Sequence, residues 1–229
     1  MLLRQRVDGL ILVPTGHGRE NLERLNTQGV PFVTVDRVVP DIISHAIVTE
    51  NYAGTHELTE HLVHLGHRRI GVISPPTHSG PVQQRLDAIR HVLDDHGLTF
   101  EQVEVHGENL AWFELGRDAA RRLLTRTPRP TAIVALTDVM AVGVLHAAHD
   151  LGLRVPEDLS VTGFDDIPLA SHALPGLTTV AQPFQEMGQR AARRLLQLIR
   201  NPDLPPETER LPAHLVVRGS TAAPPQEDR

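Results

Sequence analysis

The sequence predicts an α/β fold built on parallel sheet, and three observations carry that reading. Short runs of β-branched and other apolar residues alternate with helical stretches along nearly the whole chain. Gly29, Gly66, Gly97 and Gly152 each stand where one of those helical stretches stops. Several of the apolar runs end on polar residues, notably Asp36, Thr137 and Asp165. In a parallel α/β sheet the ligand crevice lies outside the carboxyl ends of the strands.

The elements follow in order. Residues 2–6 read as the last turn of a helix, and VDGLILV (7–13) as the first strand. The loop PTGHG leads to a short helix with Leu22 and Leu25 facing inward. VPFVTV (30–35) is a strand that delivers Asp36 and Arg37, and AIVT (46–49) is a brief one. A helix from about Tyr52 to Leu65 repeats leucine at Leu58, Leu62 and Leu65. RIGVIS (69–74) leads through PPTHSG to a helix burying Val82, Leu86, Ile89 and Leu93. QVEVH (102–106), a helix from Trp112 to Thr125, AIVAL (132–136) and a helix from Asp138 to Leu151 continue the alternation.

RVPEDLSVTGFDD (154–166) is the pivotal stretch. A capped turn precedes a buried strand carrying Leu159, Val161 and Phe164, and Asp165 and Asp166 stand where that strand stops. Gly163 lets another backbone approach closely. LTTV (177–180) is the next strand, and Gln182 precedes Pro183 at the first turn of a helix ending near Arg200. LPAHLVVRGS (211–220) reads as one last strand, and residues 222–229 as a disordered tail.

Composition excludes several classes of function. With 229 residues the chain can hold one large domain or two small lobes. It has no cysteine, so disulfide and thiolate chemistry are excluded. A net charge of −6 argues against nucleic-acid binding by this chain alone. The cluster Arg190, Arg193, Arg194 and Arg200 reads as a solvent-facing complement to the dipole of its helix. No signal peptide or membrane span stands out, so a soluble cytoplasmic protein is expected.

Each candidate site residue has a plainer reading beside it. Asp138 suits the N-cap of the helix it opens, and capping is the preferred role. The planar fork of Arg85 suits a carboxylate, a phosphate or a pair of hydroxyls. On spacing alone, a surface pairing with Asp87 is slightly preferred. Trp112 is the only tryptophan; it serves equally for stacking on a sugar or base face or as a wedge over the core. The loop Gly16-His17-Gly18 imitates a dinucleotide fingerprint, but Asn21 replaces its third glycine, so no nucleotide cofactor is expected. His61, His64 and His67 recur every three residues, yet Gly66 interrupts them and no metal is expected. No nucleophile, triad or paired-carboxylate signature appears, so no catalytic residue is assigned and the chain is not read as an enzyme.

Seven words in order resemble the effector-binding core of the lactose/galactose-repressor family of transcription regulators. They are VDGLILVP (7–14), VPFVTVDR (30–37), HLVHLGHRRIGVI (61–73), PTAIVALTDVMAVG (130–143), GLRVPEDLSVTGFDD (152–166), PGLTTVAQP (175–183) and LVVRGST (215–221). The resemblance implies two Rossmann-like lobes of the type I periplasmic-binding-protein kind, with parallel sheets flanked by helices and a small effector held between the lobes. It divides the chain into residues 1–50 plus 183–208, and 51–182 plus 209–221. It implies a sugar or nucleoside-like ligand touched by Arg85, Asp165, Asp36, Gln182, Thr137 and Trp112. It also implies a homodimer that meets DNA only through a head missing from this chain.

The chain departs from the family at three places. Thr137 stands where many members carry Asn, Ala88 where a glycine is usual, and the Trp112 region does not align cleanly. The helix-turn-helix head and the first strand–helix–strand are not found, so a truncated first lobe with an exposed apolar edge at 7–13 is expected. The other readings weighed are a stand-alone solute-binding protein of a transport system and an enzyme using the Gly16–Gly18 loop.

Overall fold

The computed structural model describes residues 7–14, 19–76, 80–106 and 112–226. The chain divides into two compact units, Met1–Glu50 with Pro183–Pro212 and Asn51–Gln182 with Ala213–Arg229.

The first unit holds β1 (Leu10–Leu12), β2 (Phe32–Val35), β3 (His45–Thr49) and β9 (Thr208–Leu211), with helices α1 (Arg19–Thr27) and α7 (Phe184–Arg200). The strands run parallel in the order β1-β2-β3-β9. Side chains alternate across a strand, and β2 shows it directly. Phe32 packs with Leu22 and Leu25 of α1. Its neighbour Val33 packs with Met187, Ala191 and Leu198 of α7. Among the described residues β1 pairs only with β2, and Ile11 and Val13 are exposed, so the edge expected at 7–13 is present. The arginines of α7 are not merely solvated. Arg190 pairs with Glu186 and Glu209, and Arg194 with Glu207.

The second unit holds β4 (Ile70–Ser74), β5 (Phe100–Glu104), β6 (Ala132–Ala135) and β7 (Ser160–Thr162) as a parallel sheet in the order β5-β4-β6-β7. β8 (Thr179–Ala181) pairs antiparallel with β10 (His214–Val216). Two parallel bridges, Thr162 with Thr178 and Asp165 with Ala181, set β8 beside β7. All five residues of β4 and all four of β6 are buried, as strands must be when both faces of the sheet are covered. Val72 and Val134 face Leu58, Leu62, Leu86 and Ile89 of α2 (Asn51–His64) and α3 (Gly80–Asp95). Ile73 and Ile133 face Leu123, Ala141 and Val144 of α4 (Trp112–Leu124) and α5 (Asp138–Asp150).

Helix ends follow the glycines. Gly66 has φ 101° and Gly152 has φ 71°, a left-handed backbone that glycine adopts without Cβ strain. Beside them His67 N–H returns to Leu62 O at 3.1 Å and Leu153 N–H to Ala148 O at 2.9 Å, satisfying carbonyls the helix leaves open.

Several expectations need correction. The expected single strand 211–220 is two elements, because Leu211 closes β9 in the first unit and His214 opens β10 in the second. The division expected at 208 therefore falls later, and the chain re-enters the second unit at Ala213. A short helix, α6 (Pro168–His172), follows Asp166 where none was read. The tail is ordered further than composition suggested. Ala222 N–H donates to Ser160 Oγ at 3.1 Å, and its carbonyl accepts from His67 Nε2 at 2.9 Å. Residues 2–6, 15–18 and 227–229 lie outside the described residues, so the terminal helical turn and the Gly16–Gly18 loop receive no structural account. No helix among the described residues is long and apolar enough to cross a membrane.

Candidate functional site

The polar residues at the strand ends of the second unit meet around Arg85. This side chain is not a surface arginine paired with Asp87, which instead takes Gln83 and Arg90. Arg85 is 5% exposed. The apolar period of α3 turns it toward the sheet together with Val82, Leu86 and Ile89. Its Nε donates to Asn51 Oδ1 at 2.8 Å, and an Nη donates to Leu136 O at 2.6 Å. Its other Nη lies 3.8 Å from Asp165 Oδ1. The guanidinium carbon stands 3.4 Å from the centre of the Phe164 ring, so the flat cation also stacks. A buried charge is tolerated only when it is paired and hydrogen-bonded, and Arg85 is both.

Asp165 follows β7 at φ 120°, and its side chain is one-fifth exposed. Gln182, just past β8, donates Nε2 to Asp165 Oδ1 at 2.7 Å. Thr137 follows the carbonyl that Arg85 holds. It is the true N-cap of α5, extended at φ −147°, with its hydroxyl accepting from Met140 N at 3.3 Å. The structure thus brings together Arg85, Asp165 and Gln182, with Thr137 beside them. It adds Asn51, which sequence reasoning missed; a polar residue opening α2 directly after β3 was the available signal.

Asp138 is not the cap. It is fully buried, and its carboxylate points back to the turn after β7. Thr179 Oγ1 donates to Asp138 Oδ1 at 2.5 Å, and Ile167 N–H donates to Oδ2 at 2.9 Å. Burial pushes its pKa up to about 7; the Thr179 and Ile167 donors pull the other way, and Asp165 and Asp166 add repulsion. Asp166, at φ 55°, is held by Arg218 at 2.7 Å.

The remaining candidates are placed as follows. Asp36 ends β2 at φ 77°, half-buried beside Arg37. Trp112 opens α4 and packs partly buried against the α4/α5 core. His67 exchanges hydrogen bonds with Thr131 and Ser160 and His61 with Thr221, while His64 Nδ1 donates to the Glu60 carbonyl. These are hydrogen-bonding roles.

The site therefore offers a planar cation, a carboxylate, a primary amide and a hydroxyl at the carboxyl ends of β6, β7 and β8. Donors and acceptors that alternate in this way match hydroxyl groups, which need both.

Residues 59–221 match the family described as periplasmic binding protein-like domain. HTH-type transcriptional regulator MalR of Streptomyces coelicolor is 41% identical over 235 residues, covering 99% of this chain and 68% of its own length. A LacI family transcriptional regulator from Enterococcus faecium, solved with bound ribose, superposes with a TM-score of 0.88 at 30% identity. It covers 97% of this chain, which spans 82% of that one. The transcriptional regulator CelR in complex with cellobiose superposes with a TM-score of 0.84 at 32% identity, covering 96% of this chain and 67% of its own. These relatives are transcriptional regulators, not enzymes. By sequence and by fold, the chain belongs to the periplasmic binding protein-like domain family, as the effector-binding domain of a LacI-type regulator.

Proposed function

We propose that the second unit binds a neutral sugar at its strand ends, and that this ligand is the effector of a repressor-type regulator. The observation that carries the reading is the Arg85–Asp165–Gln182 group. Arg85 is clamped on Asn51 and Leu136 before any ligand arrives, and Asp165 is set by Gln182. A fork fixed in advance loses less rotamer entropy on binding. The charges also balance locally, Arg85 against Asp165 and Arg218 against Asp166. Among the described residues of this group that balance leaves a phosphate no surplus positive charge, so free sugars are favoured over sugar phosphates.

In this proposal Arg85 donates to ring hydroxyls, Asp165 accepts from them, and Gln182 and Thr137 orient the remainder. Trp112 is proposed as a further contact, and Asp36 as a ligand-binding residue of the first unit. Ribose and cellobiose in the similar structures support the class but leave the individual sugar open. An effector acts as a switch only through differential affinity for two conformations. The full-length protein would read DNA in the cytoplasm as a homodimer, since paired heads fit paired half-sites.

The test is a thermal-shift panel of free sugars, sugar phosphates and nucleosides, with Arg85→Lys and Asp165→Asn alongside. A ligand at a hundred times its dissociation constant adds about 2.7 kcal/mol. For a domain of this size that is roughly 5–10 °C. The expected result is a shift from a free sugar that both variants lose. A shift from a nucleoside or a sugar phosphate alone would replace the proposal, and no shift from any compound would reject it.

A further inference from the structure

We infer that Asp138 is a positioning residue for the effector site, bracketing the turn that presents Asp165. Its own main chain and side chain take hold on both sides of the two aspartates. Asp138 N–H donates to Phe164 O at 2.8 Å, just before Asp165. Asp138 Oδ2 accepts from Ile167 N–H at 2.9 Å, just after Asp166.

The turn needs such a bracket. Asp165 and Asp166 sit at φ 120° and φ 55°, where a side chain is unfavourable and persists only if its surroundings over-determine it. On the opposite flank, Asp165 N–H donates to Val180 O at 2.9 Å and Gln182 N–H to Asp165 O at 3.3 Å. Asp138 is itself fixed. Thr179 Oγ1 donates to its Oδ1 at 2.5 Å. Gly163 leaves the space, because a Cβ there would collide with Asp138 Oδ1 and stand 2.9 Å from Leu177 Cδ2. Asp138 has no exposed surface, so it touches no ligand and works through Asp165.

The role in sugar recognition rests on the function proposed above; the bracket does not. The test therefore reads both, using hydrogen exchange on the ligand-free chain and sugar affinity. Asp138→Ala removes both acceptors. The Ile167 amide is expected to exchange about a hundredfold faster, while Ile133 and Val134 in β6 keep their protection. The sugar dissociation constant is expected to rise by at least about tenfold. Asp138→Asn keeps an acceptor for Ile167 and is expected to restore both readouts to within about threefold. If Asp138→Ala does not fold, Thr179→Val, which strips the donor from Oδ1 at matched volume, carries the test with effects in the same direction.

Equal acceleration at Ile167, Ile133 and Val134 would mean a general loss of stability and would overturn the inference. So would an unchanged Ile167 amide. If the unsubstituted chain binds no sugar, the proposed function fails, and the exchange pattern still decides whether Asp138 brackets the turn.

Discussion

Asp138 carries its stabilising and destabilising contributions in one carboxyl group. Burial pushes that group up to about 7 from an ordinary 3.8. The folded protein therefore holds the proton to higher pH than the unfolded chain does. Stability associated with the neutral form is present below the unfolded value and is lost as pH rises from about 4 to about 7. An asparagine has no proton to lose. The urea midpoint of the unsubstituted chain, measured against Asp138→Asn, is thus expected to fall between about pH 5 and pH 7 and to run parallel above about pH 8. Parallel curves throughout would show that the carboxylate ionises in the fold without penalty. The identity of Asp138 was visible in the sequence, but its duty was not. Thr137 and Asp138 both suit an N-cap, and only the rotation of α5 against β7 and β8 aims one at Met140 N and the other at Ile167 N.

Among the elements, α4 and α5 approach each other closely at two glycines. A Cβ on Gly116 would stand 2.5 Å from Met140 O, and one on Gly143 would collide with Phe113 O and lie 2.8 Å from Arg117 N. Both obstructions are backbone, so neither can rotate aside. Gly143→Ala is expected to cost roughly 1–3 kcal/mol, because the helices must separate and every layer between them and the sheet must repack. A urea midpoint within error of the unsubstituted chain would contradict that. Both helices were legible from their apolar periods, since Met140, Val144 and Ala148 recur along one stripe. The depth of their contact was not, because nothing local in α5 says which helix lies against Gly143.

At the scale of the whole molecule, the buried His45 and His67 and the half-buried His61 contribute to the response to acid. His45 in the first unit and His61 and His67 in the second are all pushed down from 6.5, chiefly by burial. His45 Nδ1 is buried without a partner. His67 holds Thr131, Ser160 and the Ala222 carbonyl, tying the chain after β10 to the amino ends of β6 and β7. A base whose folded value is lowered contributes full stability above its unfolded value and loses it as pH falls below about 6.5. Asp138 acts in the opposite direction over part of that range, so the histidine contribution is read in the Asp138→Asn background. There the urea midpoint is expected to decline with acid below about pH 6. His67→Gln should start lower and decline less steeply. An equally steep decline would remove His67 from the account.

The alternation of strand and helix, the glycine stops, the carboxylates at strand ends and the family words could all be read from the sequence. All of these live in short windows, where apolar period and turn chemistry act on neighbours. The family resemblance also implied Arg85, Asp165 and Gln182 as ligand contacts. Tertiary structure alone decided what those residues meet. The partners of Arg85, Asn51 and Leu136, lie 34 and 51 residues away, beyond any local pattern, so spacing preferred the nearby Asp87. The split of the last strand, the ordering of Ala222 and the bracket around Asp165 likewise depend on contacts between distant segments. A residue's chemistry is written in its side chain, but its role is set by what the folded chain brings within hydrogen-bonding distance.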